Sequence, residues 1–130
     1  MNNFKNKTIL ITGASSGIGE CFAKTLDKLG ANLILTARSK DKLDQMVLSM
    51  NSAISIPGDL SDISFSKKLY NQIKEKELTV DILINNAGFG FSGLFLDSNM
   101  KNYKEMMDVN MYSLVALTHL FLNDMVKRKN

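Results

Sequence analysis

The run Thr12-Gly13-Ala14-Ser15-Ser16-Gly17-Ile18-Gly19 decides the fold. It follows Thr8–Thr12, a short apolar β-branched stretch that reads as a strand, and precedes apolar residues three or four apart, the period of a helix. A strand that turns through three glycines into a helix N-terminus is suited to an anion. Without side chains at Gly13, Gly17 and Gly19 a diphosphate can approach the backbone, while helix N–H groups and the positive end of the dipole face it. Ser15 and Ser16 add hydroxyl donors. A plainer reading is that the glycines only make a tight turn. A nucleoside-triphosphatase loop needs Lys and then Ser/Thr after its last glycine. Here Gly17 is followed by Ile18, and Gly19 by Glu20, which argues against ATP or GTP hydrolysis.

Outward from the turn, short apolar runs alternate with helical stretches, the pattern of β-α units that build a parallel sheet. Strands are expected at Thr8–Thr12, Asn32–Thr36, 53–56 and 80–84, each apolar on both faces as buried parallel strands are. Helix stripes are expected along Ile18, Phe22, Leu26 and Leu29; along Leu43, Met46, Val47 and Met50; and along Phe65, Leu69 and Ile73. Gly30 should stop the first helix and Pro57-Gly58 the third strand. One long final helix is expected over 102–127, with Met107, Met111, Leu114, Leu117, Phe121 and Met125 on one face and a cationic end at Lys127-Arg128-Lys129-Asn130. The right-handed crossover rule then orders the strands 3-2-1-4, with a crevice between strands one and four. The fourth strand becomes an apolar edge that invites association.

The 130 residues make about one domain, 1–130, and a composition of 45% apolar and 22% charged residues is ordinarily globular. A net charge of +3 with scattered basic residues gives nucleic-acid binding little support. One cysteine and one histidine exclude a disulfide framework and most Cys/His zinc sites, which fits a reducing compartment. The N-terminal apolar run is too short for a signal peptide or membrane span, so a soluble cytoplasmic protein is expected.

TGxxxGxG after the first strand resembles the short-chain dehydrogenase/reductase family, together with Asn85-Asn86-Ala87-Gly88 after the fourth strand, Asp59-Leu60 after the third, and Asn110 in the last helix. The extended relatives that act on sugar nucleotides resemble TGxxGxxG instead. The resemblance spans essentially the whole chain and implies a Rossmann-like, doubly wound parallel sheet that binds NAD or NADP for hydride transfer between an alcohol and a carbonyl. It also implies that Asp59 and Leu60 contact adenine, that Asn86, Ala87 and Gly88 lie beside the cofactor ribose, and that Asn110 stabilises its helix and holds a water in a proton relay. Family members tend to dimerise through the helix matching 102–127, so a homo-oligomer is expected.

The second strand ends in Thr36-Ala37-Arg38, roughly 20 residues past the glycine turn, where a Rossmann domain meets the adenosine ribose. An acid there would select NAD. Ala37 stands at that position with Arg38 beside it, so a 2′-phosphate meets a cation and no carboxylate, and NADPH is preferred over NADH. The resemblance to the family also implies that Ser15 donates a second hydrogen bond to that phosphate. For Arg38 the plain alternative is a solvated loop charge, and for Asp59 a turn or helix cap.

By the same resemblance, a serine and a Tyr-x-x-x-Lys pair beyond a fifth strand carry the proton transfer, and the sequence given stops before that region. The lysine lowers the tyrosine pKa and the serine holds the carbonyl oxygen, so the 130 residues alone are expected to bind cofactor without turnover. Tyr70-Asn71-Gln72-Ile73-Lys74 matches the pair in letters but precedes the fourth strand, on a helix covering the sheet. Cys21 reads as a small buried packing residue, His119 as packed or partly exposed rather than chemical, and Met100, Met106, Met107 and Met111 as packing the last helix. Two classes remain open: the cofactor-binding portion of an NADPH-dependent reductase acting on a small carbonyl or alcohol, or a non-catalytic dinucleotide-binding or interaction module.

Overall fold

The computed structural model describes residues 3–129. Met1, Asn2 and Asn130, ends of the expected domain and helix terminus, lie outside them. Strands β1 (Thr8–Thr12), β2 (Asn32–Thr36), β3 (Ala53–Ser55) and β4 (Ile82–Ile84) form one parallel sheet in the order β3-β2-β1-β4, as expected. The register sets Leu10 opposite Ile34 and Leu83, and Thr12 opposite Thr36. Alternate residues face opposite ways. Ile9 and Ile11 join Leu33, Leu35, Ala23, Leu26 and Leu43 in one core, while Leu10 and Ile34 join Leu69, Ile73, Leu117 and Phe121 in the other. Helices α1 (Gly17–Lys28) and α2 (Lys40–Leu48) cover the first face; α3 (Phe65–Glu75) and α5 (Ser113–Arg128) cover the second.

Both outer strands are shorter than their apolar runs. Ile56 still donates its N–H to Leu35, but Pro57 has none to give, and the ladder ends at Ser55. At the start of β4 the Asp81 carboxylate accepts the N–H of Thr8 at 2.9 Å, in place of a ladder carbonyl. Gly30 ends α1 with φ +81°, as expected, and the N–H groups of Gly30 and Ala31 close on Asp27 and Leu26.

Two helix faces depart from expectation. Along α1 the buried residues are Gly19, Ala23, Leu26 and Asp27, whereas Ile18 is 71% and Phe22 43% exposed. Close contact of Gly19 with the preceding turn fixes the helix phase and rotates the larger residues outward. The expected final helix is divided into α4 (Met100–Met107), a π turn over Asp108–Tyr112, and α5. Its buried stripe is Val109, Ser113, Leu117 and Phe121, leaving Met107, Met111 and Leu114 exposed. The segment carries more apolar residues than one stripe needs, so periodicity does not select the buried face, and the π turn shifts the phase by inserting a residue. Met100 is exposed too, so of the four methionines expected to pack this helix only Met106 is partly buried. Among the described residues no helix is long and apolar enough to cross a membrane.

Candidate cofactor site

The three glycines of the first turn serve different ends. Gly13 has φ +64°, and a Cβ there would sit 2.9 Å from Ala87 Cα. A Cβ on Gly19 would lie 2.2 Å from the Gly13 carbonyl oxygen. Both therefore allow chain to pack on chain, rather than only clearing room for a ligand. Gly17 is different: it has φ +54°, and a Cβ would meet nothing within 4 Å. The space beside it is open. Ser16 precedes α1 in an extended conformation and its hydroxyl makes no capping hydrogen bond, so the first turn of the helix keeps backbone donors without a side-chain acceptor.

Across the sheet, the end of β4 is stitched to the end of β1. The Thr12 hydroxyl accepts the N–H groups of Asn86 at 3.0 Å and Ala87 at 2.9 Å, and the Asn86 amide donates to the carbonyls of Thr12 at 3.1 Å and Gly13 at 3.2 Å. Asn85 points the other way, to the Thr118 hydroxyl at 2.9 Å. Farther on, Asn110 in the π turn holds Phe89 at both backbone groups: its Oδ1 accepts the N–H at 2.9 Å and its Nδ2 donates to the carbonyl at 2.7 Å. The exposed Asn110 thereby fixes the path of the chain leaving Gly88.

At the ends of β2 and β3, the N–H of Gly58 donates to the Ala37 carbonyl at 3.0 Å and draws Asp59 towards Arg38. Arg38 is exposed and makes no hydrogen bond or ion pair with any described residue. Asp59 accepts the Ser61 N–H at 2.9 Å, a turn role that occupies Oδ1. Leu60 packs its side chain into the core with Leu10 and Ile34.

These strand ends surround a cleft of about 700 Å³. Gly13, Ser15, Ser16, Ile18, Arg38, Asp59, Leu60, Asn86, Ala87 and Gly88 all line it. Gly17, Gly19 and Asn110 do not; they shape the turn and support Phe89. Lining residues that the sequence alone did not single out include Ser39, Lys42, Phe89 and Glu105. Lys42 lies on α2 and Arg38 before it, so helical spacing does not relate the two, and the packing of α2 brings Lys42 to the cleft. Glu105 likewise reaches the rim only because tertiary packing brings α4 there.

A short chain dehydrogenase family model matches residues 7–130. The chain belongs to the short-chain dehydrogenase family. Dehydrogenase/reductase SDR family member 7 of Mus musculus is 34% identical over 129 residues, covering 93% of this chain and 38% of that protein. L-Sorbose reductase from Gluconobacter frateurii, solved with NADPH and L-sorbose, superposes with a TM-score of 0.88 at 25% identity over 96% of this chain and 49% of its own. A metagenomic short-chain oxidoreductase in complex with NADP gives 0.88 at 30% identity over 98% of this chain and 60% of its own. This short-chain dehydrogenase chain thus spans less than half the length of the mouse relative.

Tyr70 and Lys74 stand away from the cleft. Both bind Asp124 on α5, at 2.8 and 3.2 Å. The hydrogen bond to Asp124 pushes the Tyr70 hydroxyl pKa up, with burial adding to it, the reverse of what a proton-donating tyrosine needs. Asp124 is held below the usual carboxylate range, chiefly by the Tyr70 hydroxyl and then by Lys74. Cys21 is exposed rather than packed, because the phase set by Gly19 turns it outward, and His119 is exposed on α5.

Proposed function

We propose that residues 1–130 form the cofactor-binding part of an NADP(H)-dependent oxidoreductase transferring hydride between an alcohol and a carbonyl, with NADPH preferred to NADH. The observation that carries this reading is one cleft gathering Gly13, Ser15, Ser16 and Ile18 of the first turn, the unpartnered Arg38, and Asn86, Ala87 and Gly88 from three strand ends. The open space beside Gly17, at the uncapped start of α1, fits a diphosphate cradle. Gly13 and Gly19 keep that cradle's walls close, while Ser16, Gly17 and Ile18 offer backbone donors.

Arg38 and Ser15 would hold a 2′-phosphate, with Lys42 adding charge from α2. Asp59 would accept from the adenine amine through its second oxygen, and the Leu60 backbone would donate. Asn86, Ala87 and Gly88 form a thin wall for the second ribose, and Asn110 positions it through Phe89. The nicotinamide supplies the hydride donor or acceptor when bound. Among the described residues no tyrosine lines the cleft, so the 130 residues alone bind without turnover. A cytoplasmic setting belongs to this reading. So does a homo-oligomer through the exposed face of α5, where Val115 is 64% and Leu122 50% exposed.

Calorimetry on the 130-residue chain tests the proposal. Arg38→Ala should weaken NADPH binding by roughly 1.5–3 kcal/mol, the worth of hydrogen bonds to a charged group, and leave NADH binding unchanged. Equal losses for both coenzymes would reject NADPH selection; no heat with either, from a folded sample, would reject the cofactor site.

A further inference from the structure

Four residues before Val109 of the π turn, α4 carries Glu105, and both line the cofactor cleft. Other residues of the same helix face elsewhere: Tyr103 stacks on Phe95 at 4.8 Å, and Met106 joins it against residues 91–98. Val109 belongs to one core with Ile34, Leu60 and Phe65, so the helix face that carries it looks onto β2 and the turn after β3. Glu105, one turn earlier, shares that face. It is also where the Gly58 N–H draws Asp59 towards Arg38. This end of the cleft therefore has two carboxylates, Asp59 from the turn after β3 and Glu105 from α4.

Each has an acceptor to spare. Asp59 gives Oδ1 to the Ser61 N–H at 2.9 Å, and no described residue hydrogen-bonds its other oxygen. Glu105 makes no hydrogen bond among the described residues. Its Oε1 stands 3.9 Å from the Nζ of Lys101, whose side chain is 81% exposed, a surface pair that solvent screens. An ionised carboxylate accepts and never donates. An exocyclic amine brings two hydrogens to two such acceptors, whereas an oxo group in its place would lie against both carboxylates with no donor returned. The Ser61 hydroxyl, which also lines the cleft, donates or accepts and so serves either group. We infer, resting on the dinucleotide reading above, that Glu105 is a specificity-determining residue for the coenzyme base: with Asp59 it takes the two amine hydrogens of adenine, so that the cleft selects an aminopurine over an oxopurine coenzyme.

The test is calorimetry on the 130-residue chain with NADP+ and with its deaminated counterpart, in which hypoxanthine replaces adenine. The wild type should bind NADP+ at least about tenfold more tightly, the order expected when hydrogen bonds to charged acceptors are lost. Glu105→Gln keeps the length and brings an amide that can donate to an oxo group, so the ratio of the two affinities should fall at least about threefold. Glu105→Ala should lower the ratio too, by weakening NADP+ alone. Lys101→Ala breaks only the ion pair and should leave the ratio within about twofold of wild type. Both coenzymes are measured on one protein, so a loss of folded fraction cancels from the ratio. Equal affinities in the wild type, or a ratio unmoved by both Glu105 variants, would overturn the inference and leave the cofactor site standing. A ratio that Lys101→Ala lowers as far as Glu105→Ala does would trace the effect to the helix and overturn it as well. Binding of neither coenzyme by the folded chain would sink the dinucleotide reading, and the role of Glu105 with it.

Discussion

Thr12 and Asn86 bind each other twice: the Thr12 hydroxyl accepts the Asn86 N–H at 3.0 Å, and the Asn86 side chain returns a hydrogen bond to the Thr12 carbonyl at 3.1 Å. The same hydroxyl also takes the Ala87 N–H. One buried side chain at the end of β1 thus anchors the turn that leaves β4. Thr12→Val keeps the shape but leaves the Ala87 N–H without its acceptor, while the Asn86 N–H keeps the Ile84 carbonyl at 3.0 Å. It should cost about 1–3 kcal/mol in denaturant unfolding, and Thr12→Ser should recover most of that. Equal stability of the Val and Ser variants would show that the hydroxyl does not hold the turn.

Gly19→Ala and Gly17→Ala should fail in different ways. At Gly19 the new methyl collides with the Gly13 carbonyl, so folding suffers, by about 2 kcal/mol or more, through displacement of α1. At Gly17 there is room, and only the positive φ is strained, costing about 1 kcal/mol. The methyl would occupy the proposed diphosphate space, so the folded Gly17→Ala chain should lose at least about tenfold in NADPH affinity. Calorimetry alongside denaturant melts separates the two. Undiminished affinity for Gly17→Ala would place the diphosphate elsewhere.

Asn110→Ala removes both side-chain bonds to Phe89 at an exposed site. A stability loss of about 1 kcal/mol is expected. Amide exchange at Phe89 should accelerate while exchange in β1 stays slow, because the clamp is local. Uniform acceleration across the sheet would make Asn110 a general fold residue instead.

The Tyr70 to Asp124 bond gives a stability increment bounded in pH. Asp124 has a lowered folded pKa, so its share is present above the unfolded carboxylate value, about 4, and is lost as pH falls through the lower folded value. Tyr70 has a raised folded pKa, so its share is full below about 10 and is lost as pH rises through the higher folded value. Tyr70→Phe should therefore cost about 1 kcal/mol at neutral pH, and the difference should shrink in acid and in strong alkali. NADPH affinity should not change. A weakened cofactor affinity would bring Tyr70 into the site after all.

The parallel order of the strands, the glycine turn, and the cleft residues from Gly13 to Gly88 were legible because each depends on local backbone chemistry: β-branched runs, a helix start, small residues at strand ends. The Asn85-Asn86 pair announced a turn. That one asparagine would serve α5 and the other the glycine turn became visible only once strands β1 and β4 lay side by side.

Helix phase was not legible. Ile18 and Phe22 form the larger apolar stripe on α1, yet Gly19 and Ala23 face the sheet, because backbone contact at Gly13 outweighs the burial of two side chains that solvent tolerates. The outcome for α5 is similar. Of the expected face Leu117 and Phe121 are buried, but towards the π turn Met107, Met111 and Leu114 give way to Val109 and Ser113, a choice that falls to the π turn and the Asn110 clamp. The doubly wound sheet and the family could be read from the order of residues, since both follow from short-range patterns. Tertiary structure alone decided which apolar faces are covered, that Lys42 and Glu105 reach the cleft, and that Phe91 and Phe95 stay open beside it. Those depend on contacts between distant segments whose energies no local pattern records.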